Sequence, residues 1–262
     1  MARSLIGGLL RRGVPASLIR VADPNPDTRA ALAFDFQIQV FNDNAEAVLG
    51  AQTWVLAVKP QVAHEVCNAL AAVAGQERPL VISIVAGITS NTLARWLGPD
   101  LPIARCMPNI AAFIGAGVTG IFANFNTGPA ERARVMDMLG GVGETVLIGD
   151  ERHLDAVTAV SGSGPAYVFL VAESMEAAAH SQGLSEEVAR ALVNQTLLGA
   201  ARMLTESHEG PSLLRQRVTS PGGTTEAAVH VLDSGGLKAL FTNAVDAATR
   251  RSRTLSIQAP TD

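Results

Sequence analysis

Residues 52–86 read QTWVLAVKPQVAHEVCNALAAVAGQERPLVISIVA, and this stretch decides the fold class. Apolar and β-branched runs at Thr53–Val58 and Leu80–Val85 predict two short strands, because strands that are covered on both faces are apolar nearly throughout. Gln61–Val73 between them predicts a helix. A strand, a helix and a second strand in this order are typical of a parallel, doubly wound sheet.

The same alternation continues on both sides of this unit. Further strands are predicted at Ile19–Ala22, Gln37–Phe41, Ile103–Met107, Val118–Ala123 and Glu144–Ile148. Further helices are predicted at Asp27–Ala33 and Thr89–Leu97. We therefore expect an α/β domain over residues 1–150, in which helices cover a parallel sheet.

The second part of the chain, residues 151–262, has the pattern of helices alone. Gly164–Pro165 opens a very apolar stretch, and proline is tolerated in a first helical turn because its missing N–H would be unpaired there. Ser185 precedes two glutamates, as at the capped, acidic start of a helix. Further helices are predicted after Gly223 and after Gly236. Helices this apolar must pack against other surfaces, so we expect an all-α domain that also contacts a partner subunit.

The composition argues against several classes of protein. The net charge of −4 provides no basic surface for nucleic acid. The uncharged segment 106–130 is interrupted by prolines, asparagines and glycines, so we expect no membrane span there. Cys67 and Cys106 lie far apart in the sequence, which is typical of buried thiols in a reducing compartment. The expected location is the cytoplasm.

Metal-dependent chemistry and serine-nucleophile chemistry are both poorly supported. The five histidines do not have the i, i+4 spacing of a helical metal pair, so no metal site is expected. Gly162-Ser163-Gly164 lacks the G-x-S-x-G frame of a nucleophile elbow.

Two stretches that contain glycine stand before predicted helices, where unpaired N–H groups attract a carboxylate or a phosphate. In Thr219–Thr225, Gly222 and Gly223 let the backbone approach a ligand closely. This stretch also carries three hydroxyl donors besides Thr219, namely Ser220, Thr224 and Thr225. The pattern favours an anion site at Thr219–Thr225. At Ser161–Tyr167, by contrast, an ordinary capped turn is favoured.

A dinucleotide site is indicated beyond the carboxyl ends of the strands, where open α/β sheets bind their ligands. Ala57-Val58-Lys59-Pro60 follows one buried strand. Asp23 follows Ile19–Ala22, at the kind of position where an acid holds a ribose hydroxyl. A carboxylate there favours NADH because it repels a 2′-phosphate, whereas Arg29 nearby offsets this repulsion.

Taken together, these segments resemble the pyrroline-5-carboxylate reductase family along essentially the whole chain. The most specific stretch is Leu213–Asp233, LLRQRVTSPGGTTEAAVHVLD, and the segments Ala57–Gln61, Cys106–Asn109 and Ser161–Tyr167 also match, in the same order. The resemblance implies a Rossmann-type domain over residues 1–150 and a helical domain for substrate binding and dimerisation over residues 151–262. It also implies reduction of 1-pyrroline-5-carboxylate to L-proline, the last step of proline biosynthesis, by a homodimer or higher homo-oligomer that uses NADPH or NADH.

The resemblance also assigns residues to roles. Thr225 would be catalytic by bonding the ring nitrogen of the substrate, while Ser220 and the backbone around Gly222, Gly223 and Thr224 would hold the carboxylate. Residues that would contact the dinucleotide are Asn44, Ala57, Val58, Lys59, Pro60, Ala86 and Asn109, together with Asp23.

Two departures from the family pattern have structural consequences. Ile110-Ala111-Ala112 stands where relatives usually have Thr-Pro-Ala, which removes a hydroxyl near the expected cleft. The segment Met1–Leu5 matches the beginning of the family's first helix, so the preceding strand and its glycine turn are expected upstream of Met1. Because that strand is central, the strands at Ile19–Ala22 and Gln37–Phe41 should be separated from the rest of the sheet.

Two alternative functions stay open at the level of the sequence. The chain is either an active reductase or a catalytically inactive scaffold that dimerises through its helices. A related imine or 3-hydroxy-acid reductase is the other alternative, because such enzymes share the same two-domain plan.

Overall fold

The computed structural model describes residues 1–257. The chain divides into two compact units. The first contains Met1–Ser163 and the segment from Ala247 onward, and the second contains Gly164–Asp246. The predicted boundary between a dinucleotide-binding domain and a helical domain after residue 150 is a different division, and it stays a prediction.

The first unit contains all the strands of the described residues and seven of their α-helices. Its strands are β1 (Arg20–Ala22), β2 (Gln39–Phe41), β3 (Thr53–Leu56), β4 (Leu80–Ser83), β5 (Ile103–Pro108), β6 (Gly117–Ala123) and β7 (Gly143–Leu147). Its helices are α1 (Ala2–Arg11), α2 (Pro26–Phe36), α3 (Asn44–Val48), α4 (Pro60–Glu77), α5 (Ser90–Leu97), α6 (Pro129–Gly140) and α7 (Leu154–Val157). All seven predicted strands are confirmed.

The remaining helices confirm that the second part of the chain is helical. They are α8 (Gly164–Ser181), α9 (Glu186–Glu206), α10 (Pro211–Arg217), α11 (Thr224–Ser234) and α12 (Leu237–Ile257), whose last part belongs to the first unit. Ser185 caps α9 as predicted, since its hydroxyl accepts the N–H of Val188 at 3.4 Å. Short α10 was not predicted.

The strands form two separate sheets, as expected. β1 and β2 pair in parallel as a two-stranded sheet, and the other sheet has the order β3-β4-β5-β6-β7. β1 therefore lies at an edge of one sheet and β3 at an edge of the other. The exposed fraction of the Val55 side chain on β3 is 40%, whereas every residue of β4 is buried. The apolar character of both strands predicted that each is covered on both faces. This prediction is confirmed for β4 and wrong for β3.

The predicted parallel sheet is confirmed, with one strand pair that departs from the parallel arrangement. β5 and β6 pair antiparallel, with Pro108 opposite Thr119. Only eight residues, 109–116, connect these two strands. A parallel crossover needs about a dozen residues or more, so this connection is too short and the chain turns back.

The second unit exposes much of its apolar surface. On α8 the side chains of Phe169 and Leu170 are 65% and 62% exposed, and on α11 Val231 is 69% exposed. The continuous helical run Glu151–Ser181 contains an 18-residue window with a mean hydropathy of 1.3, so by length and composition alone it could cross a membrane. A helix with this much exposed apolar surface needs a covering surface in the assembled protein.

Candidate active site

Three of the residues expected to contact the dinucleotide lie at one edge of the larger sheet. β3, β4 and β5 run parallel, so the residues after them, Ala57, Ala86 and Asn109, share that edge. Ala57 and Ala86 are exposed. The side-chain oxygen of Asn109 accepts the N–H of Val118 at 3.3 Å, which ties this strand end to β6. The arrangement leaves open backbone beside small side chains, as close approach of a cofactor requires.

The next three expected residues, Val58, Lys59 and Pro60, form the entry to α4. Lys59 occupies the position before the first helical residue and is exposed, and Pro60 is the first residue of the helix. The N-terminus of α4 and the Lys59 ammonium therefore both present positive charge at the same edge of the sheet. That charge suits a phosphate.

Asp23 and Asn44 follow the two strands of the smaller sheet. Asp23 follows β1, and one of its carboxylate oxygens accepts the N–H of Asn25 at 2.8 Å. Asn44 is the first residue of α3, just after β2. The Arg29 guanidinium donates to the Asp23 carbonyl oxygen at 2.7 Å and to the Asn42 side-chain oxygen at 3.1 Å. Arg29 is thus fixed close to the acid whose charge it was expected to offset.

A cavity of about 270 Å³ opens beyond the ends of β4 and β5 within the first unit. Its walls include Val85, Ala86, Gly87, Met107, Leu154 and Arg251. Ligands of α/β proteins bind at this edge, and pockets for them are mostly apolar with a few polar groups. The cavity combines small residues, Ala86 and Gly87, with apolar side chains and the arginines Arg105 and Arg251.

A partly buried ion pair that sequence reasoning missed adjoins this cavity through Arg105, which lines it. Glu151 accepts hydrogen bonds from both the N–H and the hydroxyl of Ser90, and its carboxylate forms an ion pair with Arg105. Ser90 is 61 positions away in the chain. Contacts between such distant residues leave no periodic signal in the sequence.

The Thr219–Thr225 turn connects α10 to α11 in the second unit. Gly222 has φ +71°, a left-handed conformation that favours glycine, and the N–H of Gly223 donates to the Ser220 carbonyl oxygen at 3.0 Å. Ser220 and Thr224 are exposed, and Thr225 is half-buried. The helix predicted after Gly223 is confirmed, so these hydroxyls and N–H groups do stand at a helix N-terminus.

Glu226 adds an acidic group to this turn. Its carboxylate accepts the N–H of Gly222 at 2.7 Å. The position, in the first turn of a helix after Gly223, is one where glutamate commonly bonds back to the preceding N–H groups. That signal was present in the sequence and was missed.

The prediction of an ordinary capped turn at Ser161–Tyr167 is wrong. A π-helical segment, Thr158–Gly162, joins α7 to α8, so the helix continues through the glycines. The N–H of Ser163 donates to the Thr158 carbonyl oxygen at 2.9 Å, and the Ser161 hydroxyl donates to the Val157 carbonyl oxygen at 2.8 Å. A Cβ at 162 would lie 2.8 Å from the Met107 methyl carbon, so the end of this flexible side chain would have to shift.

Two family models match the chain. The model described as pyrroline-5-carboxylate reductase dimerisation matches residues 151–255. The model described as NADP oxidoreductase coenzyme F420-dependent matches residues 1–87.

Individual relatives match nearly the whole chain. It is 47% identical over 258 residues to a pyrroline-5-carboxylate reductase of Pseudomonas aeruginosa, covering 98% of this chain and 94% of that protein. The corresponding protein of Haemophilus influenzae is 42% identical, with 97% and 93% covered.

Solved structures agree with these relatives. A pyrroline-5-carboxylate reductase of Coxiella burnetii superposes with a TM-score of 0.94 at 38% identity, covering 97% of this chain and 94% of that one. A pyrroline carboxylate reductase of Plasmodium falciparum, solved with NADP bound, gives a TM-score of 0.85 at 28% identity, with 98% and 94% covered. By sequence and by structure alike, this chain belongs to the pyrroline-5-carboxylate reductase family.

Proposed function

We propose that this chain reduces the C=N bond of 1-pyrroline-5-carboxylate with a hydride from NADPH or NADH, which yields L-proline. The relatives with this name match nearly the full length of the chain. The observation that carries the proposal is the Thr219–Thr225 turn, where glycine backbone and three hydroxyls stand at the start of α11. Such a group of donors suits the carboxylate of a small cyclic imine.

The substrate is held by the residues of this turn. Ser220 and the backbone around Gly223 and Thr224 take the carboxylate, with the Thr224 N–H as the main-chain donor, and Gly222 allows the backbone to fold close to it. The Thr225 hydroxyl bonds the ring nitrogen, so Thr225 is the catalytic residue. Its half-buried position favours a fixed hydrogen bond over a solvated one.

The dinucleotide lies along the carboxyl edge of the strands in the first unit. Ala57, Ala86 and Asn109 border it at the ends of β3, β4 and β5, and Lys59 with Pro60 presents the N-terminus of α4 to a phosphate. Asp23 holds the adenosine ribose, with Arg29 beside it, and Asn44 contacts the same half of the cofactor. Pairing an acid with an arginine in this way suits either dinucleotide.

The chemistry needs mainly positioning. The nicotinamide supplies the hydride when it is bound, and the imine carbon of the protonated ring accepts it. Holding donor and acceptor carbons at about 3.5 Å can supply several kcal/mol of the barrier. A hydroxyl that keeps the ring nitrogen in place, such as that of Thr225, is therefore sufficient, and a strongly basic side chain is not required.

The apolar surface of the second unit supports a homodimer or a higher homo-oligomer. Phe169, Leu170 and Val231 are each more than half exposed in the single chain. The family model for residues 151–255 carries dimerisation in its description. We place the dimerisation domain at residues 151–262 and the dinucleotide domain at residues 1–150. A second copy that covers this surface would also cover the apolar run Glu151–Ser181. We place the enzyme in the cytoplasm.

A direct assay with purified chain tests the proposal. Oxidation of NADPH or NADH is followed at its absorbance maximum with 1-pyrroline-5-carboxylate, and the product is identified as L-proline by chromatography. Saturable NADPH or NADH binding without turnover of this substrate would favour a related imine or 3-hydroxy-acid reductase. Absence of dinucleotide binding would favour the inactive scaffold.

A further inference from the structure

We propose that Glu151 is a positioning residue for dinucleotide binding, because it clamps Ser90, at the end of the loop that carries Ala86, to the side chain of Arg105 on β5. The proposal rests on the proposed function, in which Ala86 and Asn109 border the cofactor. Glu151 itself is not placed in contact with substrate or cofactor. It acts through Ser90 and Arg105.

The clamp consists of three hydrogen bonds to one carboxylate. Glu151 Oε1 accepts the backbone N–H of Ser90 at 2.7 Å, and Oε2 accepts the Ser90 hydroxyl at 2.6 Å. Oε1 also accepts from Arg105 Nη1 at 3.2 Å. The Arg105 and Glu151 side chains are only 11% and 17% exposed, so solvent screens this pair weakly. Charge-assisted hydrogen bonds in such surroundings are strong and well oriented.

On the β4 side, the clamp fixes the far end of the loop that carries Ala86. The loop spans residues 84–89 and is held by the sheet where it begins, since the Ile84 N–H donates to the Leu56 carbonyl oxygen at 3.0 Å. At its other end Ser90 is the first residue of α5, and its N–H is one of the helix donors that have no partner within the helix. The Glu151 carboxylate supplies that partner and a negative charge at the positive end of α5.

On the β5 side, the clamp holds the strand that leads to Asn109. Arg105 lies on β5, opposite Ser83 of β4 and opposite Phe122 of β6. Its side chain also lines the cavity beside Ala86 and Met107. One carboxylate thus connects the end of the loop that carries Ala86 with the strand that leads to Asn109, and its partner Arg105 lies on the wall of the cavity.

Glutamine at this position separates the hydrogen bonds from the charge. In Glu151→Gln the amide oxygen can accept from the Ser90 N–H and from Arg105, while the amide nitrogen donates to the Ser90 hydroxyl oxygen. All three hydrogen bonds are then retained, because glutamine and glutamate have nearly the same size. Glu151→Ala removes all of them. Asp150→Asn is the matched control, because Asp150 is the adjacent carboxylate and pairs instead with Arg152 on the surface.

The test measures NADPH binding and turnover on the full chain. Glu151→Ala should raise the Kd for NADPH about tenfold, as expected for losing hydrogen bonds to a charged group. At saturating NADPH, kcat and the KM for the imine substrate should stay within about threefold of wild type, because the substrate turn is left intact. Glu151→Gln should recover most of the NADPH affinity, and Asp150→Asn should equal wild type.

Several outcomes would overturn the proposal. A Glu151→Ala protein that binds NADPH like the Asp150→Asn control contradicts it. So does a uniform loss of kcat and of both affinities that Glu151→Gln does not rescue, since that is the signature of general instability. If Glu151→Ala is insoluble, Ser90→Ala replaces it as the test. This variant loses one of the three hydrogen bonds to Glu151 and should raise the Kd for NADPH about threefold. An unchanged Kd refutes the clamp.

Failure of the wider function is distinguishable from failure of this inference. If wild-type protein binds neither NADPH nor NADH, the reductase function fails before the variants are compared. If wild type binds and all variants match it, only the role of Glu151 fails.

Discussion

The carboxylate of Glu226 accepts the backbone N–H of Gly222 at 2.7 Å, inside the turn that is proposed to bind the substrate carboxylate. A negative charge therefore already occupies one of the donors of this turn. The incoming carboxylate meets a like charge beside the donors that are proposed to bind it. The hydrogen bond stabilises the conformation of the turn, while the negative charge of Glu226 repels the ligand.

Removing this charge while keeping the turn should improve substrate binding. In Glu226→Gln the amide oxygen can still accept the Gly222 N–H, but the like charge is gone. The KM for 1-pyrroline-5-carboxylate should fall about twofold to fivefold, the size of a partly screened charge interaction. Steady-state kinetics at saturating NADPH measures it. Glu206→Gln on α9, where Glu206 pairs with Arg202 on the surface, is the control and should leave KM unchanged. A higher KM in Glu226→Gln contradicts the reasoning.

Thr225 and Ser161 should differ sharply when each loses its hydroxyl. Thr225→Ala removes the proposed bond to the charged ring nitrogen and should lower kcat/KM about tenfold or more. The Ser161 hydroxyl already donates to the Val157 carbonyl oxygen within the helix, so Ser161→Ala should stay within about twofold of wild type. Both are read from initial rates of NADPH oxidation. Equal losses would remove the assigned role of Thr225.

Two glycine-to-alanine substitutions should change stability in opposite directions. Gly222 has φ +71°, so Gly222→Ala should lower the free energy of unfolding by about 1–2 kcal/mol. Gly75 lies inside α4 in open space, and Gly75→Ala should raise that free energy by about 0.5–1 kcal/mol. Urea denaturation followed by circular dichroism gives both values. A destabilised Gly75→Ala protein would show that the site is more crowded than it is in the structure.

The two cysteines should be unreactive in the folded protein. Burial raises the pKa of the Cys67 thiol to about 12, and burial also raises the pKa of Cys106. Because a raised pKa keeps the thiol protonated at pH 8 and only the thiolate is nucleophilic, iodoacetamide should label neither residue. Both should react after unfolding in guanidinium. Mass spectrometry of the alkylated protein checks this, and rapid native labelling of Cys67 would show that α4 opens easily.

A charged substitution at Phe169 tests whether the apolar surface of the second unit is an interface between copies of the chain, with Phe125 as the control position. Phe169 on α8 is 65% exposed and Phe125, in the first unit, is 100% exposed. Phe169→Glu should reduce the molar mass of the particle to that of one chain, because a buried charge disrupts an apolar interface. Phe125→Glu should leave the mass unchanged. Light scattering after size exclusion measures both, and an unchanged mass for Phe169→Glu places the interface elsewhere.

The strands of the first unit were predictable from sequence for a simple reason. The run Leu80–Ile82 is apolar on both faces, and this pattern is typical of a covered strand. Short helices were less accessible: α3 has five residues and α10 has seven, which is too few for a helical period to be recognised. α6 has more residues, but its surface is too polar for a clear apolar stripe.

The separation of β1 and β2 from the larger sheet also followed from sequence, whereas the reversal at β6 did not. The separation depended on strand order, which the family resemblance supplied. The direction of β6 depended on the length of a connection, and eight residues at 109–116 are too few for a parallel crossover. That length was visible in the sequence only once both strand ends were known.

By itself, the sequence determined the succession of the strands, the family and the turn at Thr219–Thr225, because each of these is encoded by neighbouring residues. Only the tertiary structure decided that Glu151 meets Ser90 and Arg105, that the helix runs through Ser161, and which side chains line the cavity beside Ala86. The physical reason is distance along the chain. Hydrogen bonds and packing between residues tens of positions apart exist only after the backbone has folded, so no local pattern records them.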